Sequence, residues 1–198
     1  GFKASISPTT WVAIVNVNAD GSVVVHCSTT DMGQGSDTVM AQIAAEVLDV
    51  PIETVILVHP DTDVTPYDMS TLGSRSTYHM GHAVRLAATE ARDQLAQMQD
   101  ELGLPEGSNV PVKELFIQKY GMQAGNIVSS GSYKPPYKPT DHETGLSTNA
   151  TPYWMIGATG VEVSVDTETG HVTVDRMINV ADLGNALNPE IVATQLSG

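Results

Sequence analysis

The amino-acid sequence predicts an α+β fold, and three observations lead to this class. Two pairs of segments rich in Val and Ile, each pair separated by a glycine-containing turn, indicate two β-hairpins. Segments between them repeat apolar residues at helical spacing, which indicates helices. The strands and helices follow one another without the regular strand–helix–strand alternation of a parallel α/β protein. We therefore expect hairpins and strands that are packed by helices.

The two predicted hairpins have the same layout and are followed by similar segments. Their strands cover residues 11–17 with 22–28, and residues 161–165 with 171–180. Each hairpin leads into a polar segment that contains glycine, residues 29–35 after the first and residues 182–185 after the second. This repetition predicts a diverged internal duplication with halves of about 11–102 and 126–198, in a chain whose 198 residues fit one or two domains.

Three helices and one further strand are predicted between the hairpins. Their approximate bounds are residues 37–48 and 78–102 for the first two helices, 55–59 for the strand and 111–120 for the third helix. Ser36 or Asp37 is available as the N-cap of the first helix, and Pro51 follows its end. Gly103 is expected to end the second helix. Residues 132–152, which are rich in proline, are predicted as a long connection.

The charge balance restricts what the protein can bind. Nine Lys and Arg residues stand against 23 Asp and Glu residues, which gives a formal net charge of −14. Nucleic acid is therefore excluded as a partner, because a polyanion requires clustered cations. Hydrophobic residues make up 41 % of the chain, which is enough to build a core. Any bound anion must be held by backbone amides, hydroxyl groups and a local arginine.

Cysteine content and hydropathy give expectations about the compartment. The single cysteine, Cys27, excludes an internal disulfide and a thiolate metal site, and it fits a reducing compartment. The longest apolar runs are far shorter than the roughly 20 residues that span a bilayer. The N-terminal residues contain no apolar leader segment, so we expect a cytoplasmic location. The chain begins at Gly1 rather than Met, which suggests a processed chain or a fragment.

Two polar loops that precede helices are the main candidates for a binding site. In the first, Gly33-Gln34-Gly35, the glycines allow backbone N–H groups to approach a ligand, and Gln34 can both donate and accept hydrogen bonds. The second covers residues 70–77 and places five hydroxyl groups around Arg75. We expect both helix N-termini to receive an anion. The alternatives are a tight strand-to-helix turn for the first loop and a solvated capping loop for the second.

Other candidate residues have weaker support from their spacing. The polar segment 182–189 is more typical of a turn than of a site. His79 and His82 lack the acidic or cysteine partners that a metal site needs, so no metal ligand is predicted. Cys27 lies within a predicted strand, where a packed and inert thiol is usual. Three aspartates, Asp61, Asp63 and Asp68, lack the glycine and the glutamate of a calcium-binding loop.

Taken in order, three motifs resemble the molybdenum hydroxylases, the family of xanthine dehydrogenase, aldehyde oxidase and carbon monoxide dehydrogenase. The motifs are Asp31-Met32-Gly33-Gln34-Gly35 with Ala41-Gln42-Ile43-Ala44-Ala45-Glu46, then Gly73-Ser74-Arg75-Ser76-Thr77, and finally Asp182-Leu183-Gly184-Asn185-Ala186-Leu187-Asn188-Pro189 with Gln195. The resemblance covers nearly the whole chain and corresponds to the C-terminal, molybdopterin-binding portion of the large subunit. It specifies the family and not the substrate.

The resemblance implies a molybdopterin cofactor with molybdenum, and in bacterial members a molybdopterin cytosine dinucleotide, that is shared with the rest of the large subunit. It implies that the two glycine-containing loops hold the pyranopterin, the pyrophosphate and the cytosine. Gln34 and Gln195 would contact the pterin near its metal end. The implied cofactor-binding residues are Gly33, Gln34, Gly35, Gly73, Ser74, Arg75, Ser76, Thr77, Asp182, Asn188 and Gln195.

The family's reaction hydroxylates a carbon of an aldehyde or N-heterocycle with oxygen from water, and a glutamate acts as general base. In the family that glutamate follows the segment that matches Gln195, so the resemblance implies that this chain carries no catalytic residue and is inactive alone. The implied partners are the remainder of the large subunit, a 2Fe–2S protein or domain, and often a flavin (FAD) subunit. The alternative is a non-enzymatic binding or assembly module that retains the fold without the cofactor.

Overall fold

The structure is a computed structural model that describes residues 2–4, 9–69, 71–105, 107–122 and 124–198. It divides into two compact units, a larger one within Pro8–Pro135 and a smaller one that contains Pro136–Gly198 and the N-terminal strand. The strands are β1 (Phe2–Ala4), β2 (Trp11–Asn18), β3 (Val23–His26), β4 (Val55–Val58), β5 (Asn126–Tyr133), β6 (Trp154–Val165) and β7 (Val172–Asp182). The helices are α1 (Ser36–Leu48), α2 (Ser76–Glu101), α3 (Val112–Tyr120) and α4 (Pro189–Ser197). The predicted α+β class is confirmed.

The larger unit is a four-stranded sheet with helices on one face. The strand order is β4-β3-β2-β5, in which β3 and β4 are parallel and β2 is antiparallel to both of its neighbours. Alternate residues of β2 and β3 are buried, beginning with Trp11 and Val23, because one sheet face is packed and the other is not. Helix α2 packs against β2 and β5, and α1 packs against α2 and β4.

The predicted positions of the first hairpin and of the three central helices are confirmed to within a few residues. The β2–β3 turn forms as expected, with Gly21 at φ +90° and the Ser22 amide donating to the Asp20 carboxylate at 2.9 Å. Helix α1 ends at Leu48, before Pro51, and α2 is followed by Gly103 at φ +69°. The periodicity of apolar residues was therefore sufficient to locate these elements.

Helix α2 approaches β5 unusually closely, and small residues make this approach possible. A Cβ atom added to Gly131 would clash with the Ala83 carbonyl oxygen and the Ala87 nitrogen, both of which are backbone atoms of α2. Beside it, the buried Ser129 hydroxyl lies 3.1 Å from the Val15 carbonyl and 2.8 Å from the Ala87 carbonyl, so the helix and the sheet share a polar contact. The packing between α2 and β5 therefore depends on the absence of a side chain at position 131.

The topology brings two loops to the same edge of the sheet. Because β3 and β4 are parallel neighbours, the segments that leave their carboxyl ends, residues 27–35 and 59–75, start from one edge. These segments lead into α1 and α2, so both helices begin at that edge. Strand β2 starts there as well, because it is antiparallel to β3. We call this edge the loop edge.

The smaller unit is a three-stranded antiparallel sheet in the order β1-β6-β7, with α4 after β7. The predicted second hairpin is confirmed, and its first strand is longer than expected because β6 begins at Trp154. Three elements were not predicted: β1, β5, which starts at Asn126, and α4. Both long hairpins lead through a loop into a helix, α1 or α4. The internal duplication stays a prediction.

One face of the β6–β7 hairpin is apolar and exposed. Three directly opposed pairs form it: Val161 with Met177, Val163 with Val174, and Val165 with Val172. Each of these six residues is between 48 % and 60 % exposed. On the opposite face Glu162 pairs with Arg176. We call the six-residue surface the apolar hairpin face.

In the described part of the chain, no helix is long and apolar enough to cross a membrane.

Candidate functional site

Two predicted site loops meet at the loop edge of the larger unit. The backbone N–H of Thr30, in the segment after β3, donates to the Thr71 hydroxyl at 2.9 Å, in the segment after β4. His59 at the end of β4 lies 4.0 Å from Asp37 in the first turn of α1. The structure therefore brings the two loops together, and it does so next to the N-termini of both α1 and α2. Ser70, also predicted in this site, lies outside the described residues.

The Gly33-Gln34-Gly35 loop is closed by the Gln34 side chain. The carboxamide oxygen of Gln34 accepts from the Met32 amide at 2.6 Å, and its nitrogen donates to the Thr30 carbonyl at 2.8 Å. Gly33 and Gly35 have φ values of +98° and +75°, and a Cβ at Gly33 would meet nothing within 4 Å. The loop therefore presents open backbone at its tip and has a fixed shape.

Asp31 caps helix α1, in a role that the sequence analysis assigned to Ser36 or Asp37. That assignment is wrong, because the N-cap position is Gly35 in the left-handed conformation and it has no side-chain cap bond. The Asp31 carboxylate instead accepts from the Gly33 amide at 2.8 Å and from the Asp37 amide at 3.0 Å. The amides that were expected to bind an external anion thus already contact an internal one.

The two aspartates at the N-terminus of α1 have opposite pKa shifts. The hydrogen bond from the Asp37 amide, together with those from Gly33 and its neighbours, lowers the pKa of Asp31. Burial and the nearby charge of Asp31 raise the pKa of Asp37. Negative charge is therefore already concentrated at this helix end, where the helix dipole stabilises it.

Replacing Asp31 with alanine should destabilise the larger unit by about 1 kcal/mol at pH 7, the usual size of a lost N-terminal cap. Because the folded-state pKa is lowered, the contribution of the Asp31 charge is fully present above the unfolded pKa of about 3.9 and is lost as the pH falls through the folded value. Urea unfolding of Asp31→Ala measures this loss. Asp31→Asn removes only the charge, so its free energy of unfolding should differ from that of wild type at pH 7 and converge with it at low pH. Asp63→Asn, in an exposed loop, is the control; a pH-independent difference for Asp31→Asn would contradict the charge argument.

The second loop presents an N-terminus without a carboxylate. Gly73 and Ser74 have φ values of +70° and +56°, so two successive left-handed residues turn the chain into α2. The N-cap of α2 is Arg75, which makes no side-chain cap hydrogen bond, and the first turn of the helix contains no acidic residue. Ser76 is half-buried and Thr77 is exposed in that first turn. The first turn of α2 therefore carries no carboxylate of its own at the positive end of the helix dipole.

Arg75 is buried, although the sequence analysis expected it to lie in a polar, ligand-facing loop. Only 2 % of the residue is exposed, and its guanidinium lies 5.1 Å from the centre of the Trp11 ring. Its carbonyl oxygen accepts from the His79 amide at 2.8 Å and lies 3.0 Å from His79 Nδ1. The arginine charge thus lies against the Trp11 ring, and His79 contacts the backbone carbonyl of the same residue.

Two hydroxyl groups at the end of β3 are buried without a hydrogen-bond partner among the described residues. They are Ser28 Oγ and Thr29 Oγ1, and Thr29 is only 2 % exposed. The alternating burial of β3 continues through Cys27 to Thr29, so Thr29 faces the helix-covered side of the sheet. Buried polar atoms are usually satisfied, and therefore these two hydroxyls are candidates for contacts with a ligand or with water. Sequence reasoning missed them, since Ser and Thr carry no signal of their burial.

The remaining predicted site residues lie in the smaller unit. Asp182 is exposed and accepts from the Gly184 amide at 3.1 Å. Asn188 is the N-cap of α4 and accepts from the Ile191 amide at 3.1 Å. Gln195 is exposed on α4. Asn188 followed by Pro189 is a sequence signal for a helix start, and it could have predicted α4.

The weaker candidates show structural contacts. His82 Nδ1 lies 2.6 Å from the Tyr78 carbonyl. Burial raises the pKa of the Cys27 thiol to about 11, so the group stays protonated and unreactive. The Asp61 carboxylate accepts from the Asp63 amide within its own loop. Within the described ranges, no three His, Cys, Asp or Glu side chains are grouped so that they could hold a metal ion.

Comparison with known proteins identifies the class. The family model of the molybdopterin cofactor-binding domain matches residues 1–198, so the chain belongs to that family. Among its relatives, the xanthine dehydrogenase molybdenum-binding subunit of Escherichia coli O157:H7 is 31 % identical, over 98 % of this chain and 28 % of the relative. Xanthine dehydrogenase of Dictyostelium discoideum is also 31 % identical, over 94 % of this chain and 13 % of the relative.

Solved structures agree with this assignment. Aldehyde oxidoreductase from Desulfovibrio desulfuricans superposes with a TM-score of 0.78 at 31 % identity, over 98 % of this chain and 20 % of that chain. The aldehyde oxidoreductase from Desulfovibrio gigas gives the same TM-score at 28 % identity, over 98 % of this chain and 21 % of that chain. The resemblance to the molybdenum hydroxylases is confirmed. This chain spans between 13 % and 28 % of the length of these proteins.

Proposed function

We propose that the loop edge holds the pterin and phosphate part of the molybdenum cofactor, and that the chain does so as one portion of a larger molybdenum hydroxylase. The observation that carries this proposal is the meeting of the two glycine-containing loops, which the Thr30–Thr71 hydrogen bond joins. Both loops precede helix N-termini, and both expose backbone with positive φ. Such a pair of loops can surround a ligand that is partly flat and partly anionic.

The donor set of the loop edge fits this cofactor. Thr29 contributes a deeply buried hydroxyl without a partner among the described residues, and Ser76 and Thr77 contribute hydroxyls in the first turn of α2. Neutral donors of this kind bind phosphate oxygens and pterin heteroatoms without requiring clustered cations. The chain has few cations to offer, since it carries only nine Lys and Arg residues.

The two loops have different roles in this proposal. Asp31 occupies the amides at the start of α1, and Asp37 adds a second carboxylate there. Phosphate groups would be repelled on that side. We therefore assign the phosphates to Gly73, Ser74, Ser76 and Thr77, with Arg75 beneath them, and a neutral part of the pterin to the Gly33-Gln34-Gly35 loop.

The remaining cofactor residues that the family resemblance implies lie in the smaller unit. Asp182 and Asn188 lie in the loop after the β6–β7 hairpin, and Gln195 lies on α4. We propose that Gln195, like Gln34, contacts the pterin, since a carboxamide can both donate to and accept from a heterocycle. We also propose the cytosine dinucleotide as the form of the cofactor tail.

The bound cofactor supplies the oxidation–reduction chemistry, and the protein supplies binding and orientation. For the larger protein we propose oxidation of an aldehyde or N-heterocycle with oxygen from water, with a 2Fe–2S protein or domain and an FAD subunit as electron-transfer partners. The buried free thiol of Cys27 is compatible with a reducing compartment, and a cytoplasmic location is part of the proposal.

The apolar hairpin face supports a contact with the remainder of the large subunit. Six large apolar side chains in direct cross-strand pairs are about half exposed there, whereas soluble surfaces rarely keep such residues in one patch. This chain covers 28 % and 13 % of two of the matched relatives, so proteins of this family contain further segments that are available to cover this face. We propose that this covering segment belongs to the same large subunit.

Molybdenum content of the larger protein tests the proposed function. Arg75→Ala and Gln34→Ala should each lower molybdenum per protein severalfold, because the first removes the charge beneath the phosphate loop and the second opens the pterin loop. Metal analysis of the purified protein gives the readout. Gln97→Ala, at an exposed position of α2, is the matched control. Unchanged molybdenum and activity in both site variants would instead favour the non-enzymatic module.

Hydrogen exchange tests the proposed contact of the apolar hairpin face with the remainder of the large subunit. Hydrogen exchange at residues 161–165 and 172–177 should be slower in the larger protein than in the 198-residue chain alone. Equal exchange rates in the two preparations would contradict the proposed contact.

A further inference from the structure

We propose that Trp11 and His79 are positioning residues that hold Arg75, and through it the first turn of α2, in the geometry that binds phosphate. The proposal rests on the proposed function, because it concerns the same phosphate-binding turn. It adds two residues that lie outside the loops and that none of the three motifs contains. Both residues are buried, and their proposed role is to hold Arg75 rather than to contact the cofactor.

Trp11 provides a fixed surface for the arginine charge. It is the first residue of β2, paired with Tyr133 of β5, and it begins the strand at the loop edge. The indole is fully buried, and the Arg75 guanidinium lies 5.1 Å from its ring centre. A cation over an indole face is attracted by the ring quadrupole, and this attraction is stronger where water is excluded. The strand thus fixes the position of the arginine side chain.

His79 fixes the backbone of the same residue. Its amide donates to the Arg75 carbonyl at 2.8 Å, as the first hydrogen bond of α2 requires, and its ring nitrogen Nδ1 reaches the same oxygen at 3.0 Å. A carbonyl only accepts, so Nδ1 carries the proton of the neutral ring. The imidazole also lies 5.4 Å from the Trp11 ring, centre to centre. Arg75 is therefore held at its backbone and at its side chain by two residues that contact each other.

The electrostatic consequence concerns the N-terminus of α2. Burial, assisted by the charge of Arg75, lowers the pKa of His79, so the imidazole stays neutral at physiological pH. The guanidinium then supplies the full positive charge beneath the first turn, and the helix dipole adds a partial one in the same place. In a protein with a net charge of −14, this local arrangement supplies the attraction for an anion.

Binding of inorganic pyrophosphate to the 198-residue chain, measured by calorimetry, tests the positioning role. His79→Phe keeps an aromatic ring but removes the Nδ1 donor, and we expect its affinity to fall about fivefold, as for the loss of one hydrogen bond. Trp11→Leu should lower the pyrophosphate affinity further, and Trp11→Phe should retain part of the affinity that Trp11→Leu loses. His82→Phe is the matched control, since His82 makes the same type of bond one turn later, to the Tyr78 carbonyl, and its affinity should stay unchanged.

Nuclear magnetic resonance of the nitrogen-15-labelled chain provides a readout that does not depend on binding. His79 should be the Nδ1-protonated tautomer, and the Arg75 Nε–H signal should be shifted by the Trp11 ring current and exchange slowly with water. That signal should be retained in His82→Phe and lost or averaged in Trp11→Leu. Trp11→Phe serves in place of Trp11→Leu if the leucine variant does not fold.

The outcomes of these experiments distinguish the positioning role of Trp11 and His79 from the proposed binding of phosphate. An Nε2-protonated His79, or site variants with unchanged pyrophosphate affinity, would overturn the positioning role. If wild type fails to bind pyrophosphate, the proposed function is contradicted at this turn, while the tautomer and the Arg75 signal still decide whether Trp11 and His79 hold the arginine.

Discussion

Replacing Gly131 with alanine is expected to destabilise the larger unit by about 3 kcal/mol or more, at the upper end of the range for overpacked cores. The added methyl group would overlap the Ala83 carbonyl oxygen and the Ala87 nitrogen, and it would lie 2.9 Å from Leu86 Cβ. Backbone atoms in the middle of a 26-residue helix cannot rotate away as a side chain can. Helix α2 would have to move as a whole, which would also break the Ser129 contact to Ala87. Urea unfolding, monitored by circular dichroism, measures the loss.

Gly160→Ala is the control for this prediction. Gly160 also lies within a strand, β6, and a Cβ there would meet nothing within 4 Å. Its substitution should change the free energy of unfolding by less than about 1 kcal/mol. A Gly131→Ala protein as stable as the control would mean that α2 does not approach β5 as closely as the structure shows.

The elements that sequence reasoning found are those that show a periodic or repeated pattern of apolar residues. The strands of both long hairpins alternate or repeat Val and Ile, and α1 and α2 repeat Ala, Val and Met at helical spacing. Turn chemistry fixed their ends, for example at Gly21 and Gly103. These signals are local, so a single sequence is enough to read them.

Strand β5 was missed for a physical reason. Its core-facing positions are Ile127, Ser129 and Gly131, and two of these are not apolar. They must be small or polar because the α2 backbone lies against them, as the contacts of Ser129 show. The closest packing in the larger unit thus removed the pattern by which a strand is recognised. Helix α4 was missed because it is nine residues long and none of them is buried.

The site was predicted in its residues and only partly in its chemistry. The glycine loops and their approach to the helix starts could be predicted, because strand, loop and helix are successive in the chain. The Asp31 cap was missed, although an aspartate two residues before Gly33 is a local turn signal. The burial of Arg75 could not be predicted, since its partner Trp11 is distant in the sequence and no local pattern connects them.

Replacing Thr77 with aspartate is expected to abolish cofactor binding without destabilising the fold. Helix α1 begins Ser-Asp-Thr and α2 begins Ser-Thr-Tyr, so Thr77→Asp gives the second helix the opening of the first. A carboxylate in the first turn of a helix is stabilising, by about 0.3–1 kcal/mol at an exposed position. The same charge would repel a diphosphate and compete for the amides of the turn. Molybdenum content of the larger protein should therefore fall at least about tenfold, equivalent to 1.4 kcal/mol, while the melting temperature of the cofactor-free protein stays equal or rises.

A loss of molybdenum without a loss of stability would distinguish a direct effect on binding from general damage to the fold. Thr89→Asp adds the same charge to the same helix, about 18 Å farther along its axis at 1.5 Å per residue, where salt screening weakens its effect on the turn. That control should keep its molybdenum. Retention of the metal by Thr77→Asp would show that the phosphates do not bind at the start of α2. Loss of molybdenum together with a lower melting temperature of the cofactor-free protein would show that residue 77 acts through folding. The exposed position of Thr77 and the acid-free first turn of α2 argue against that outcome.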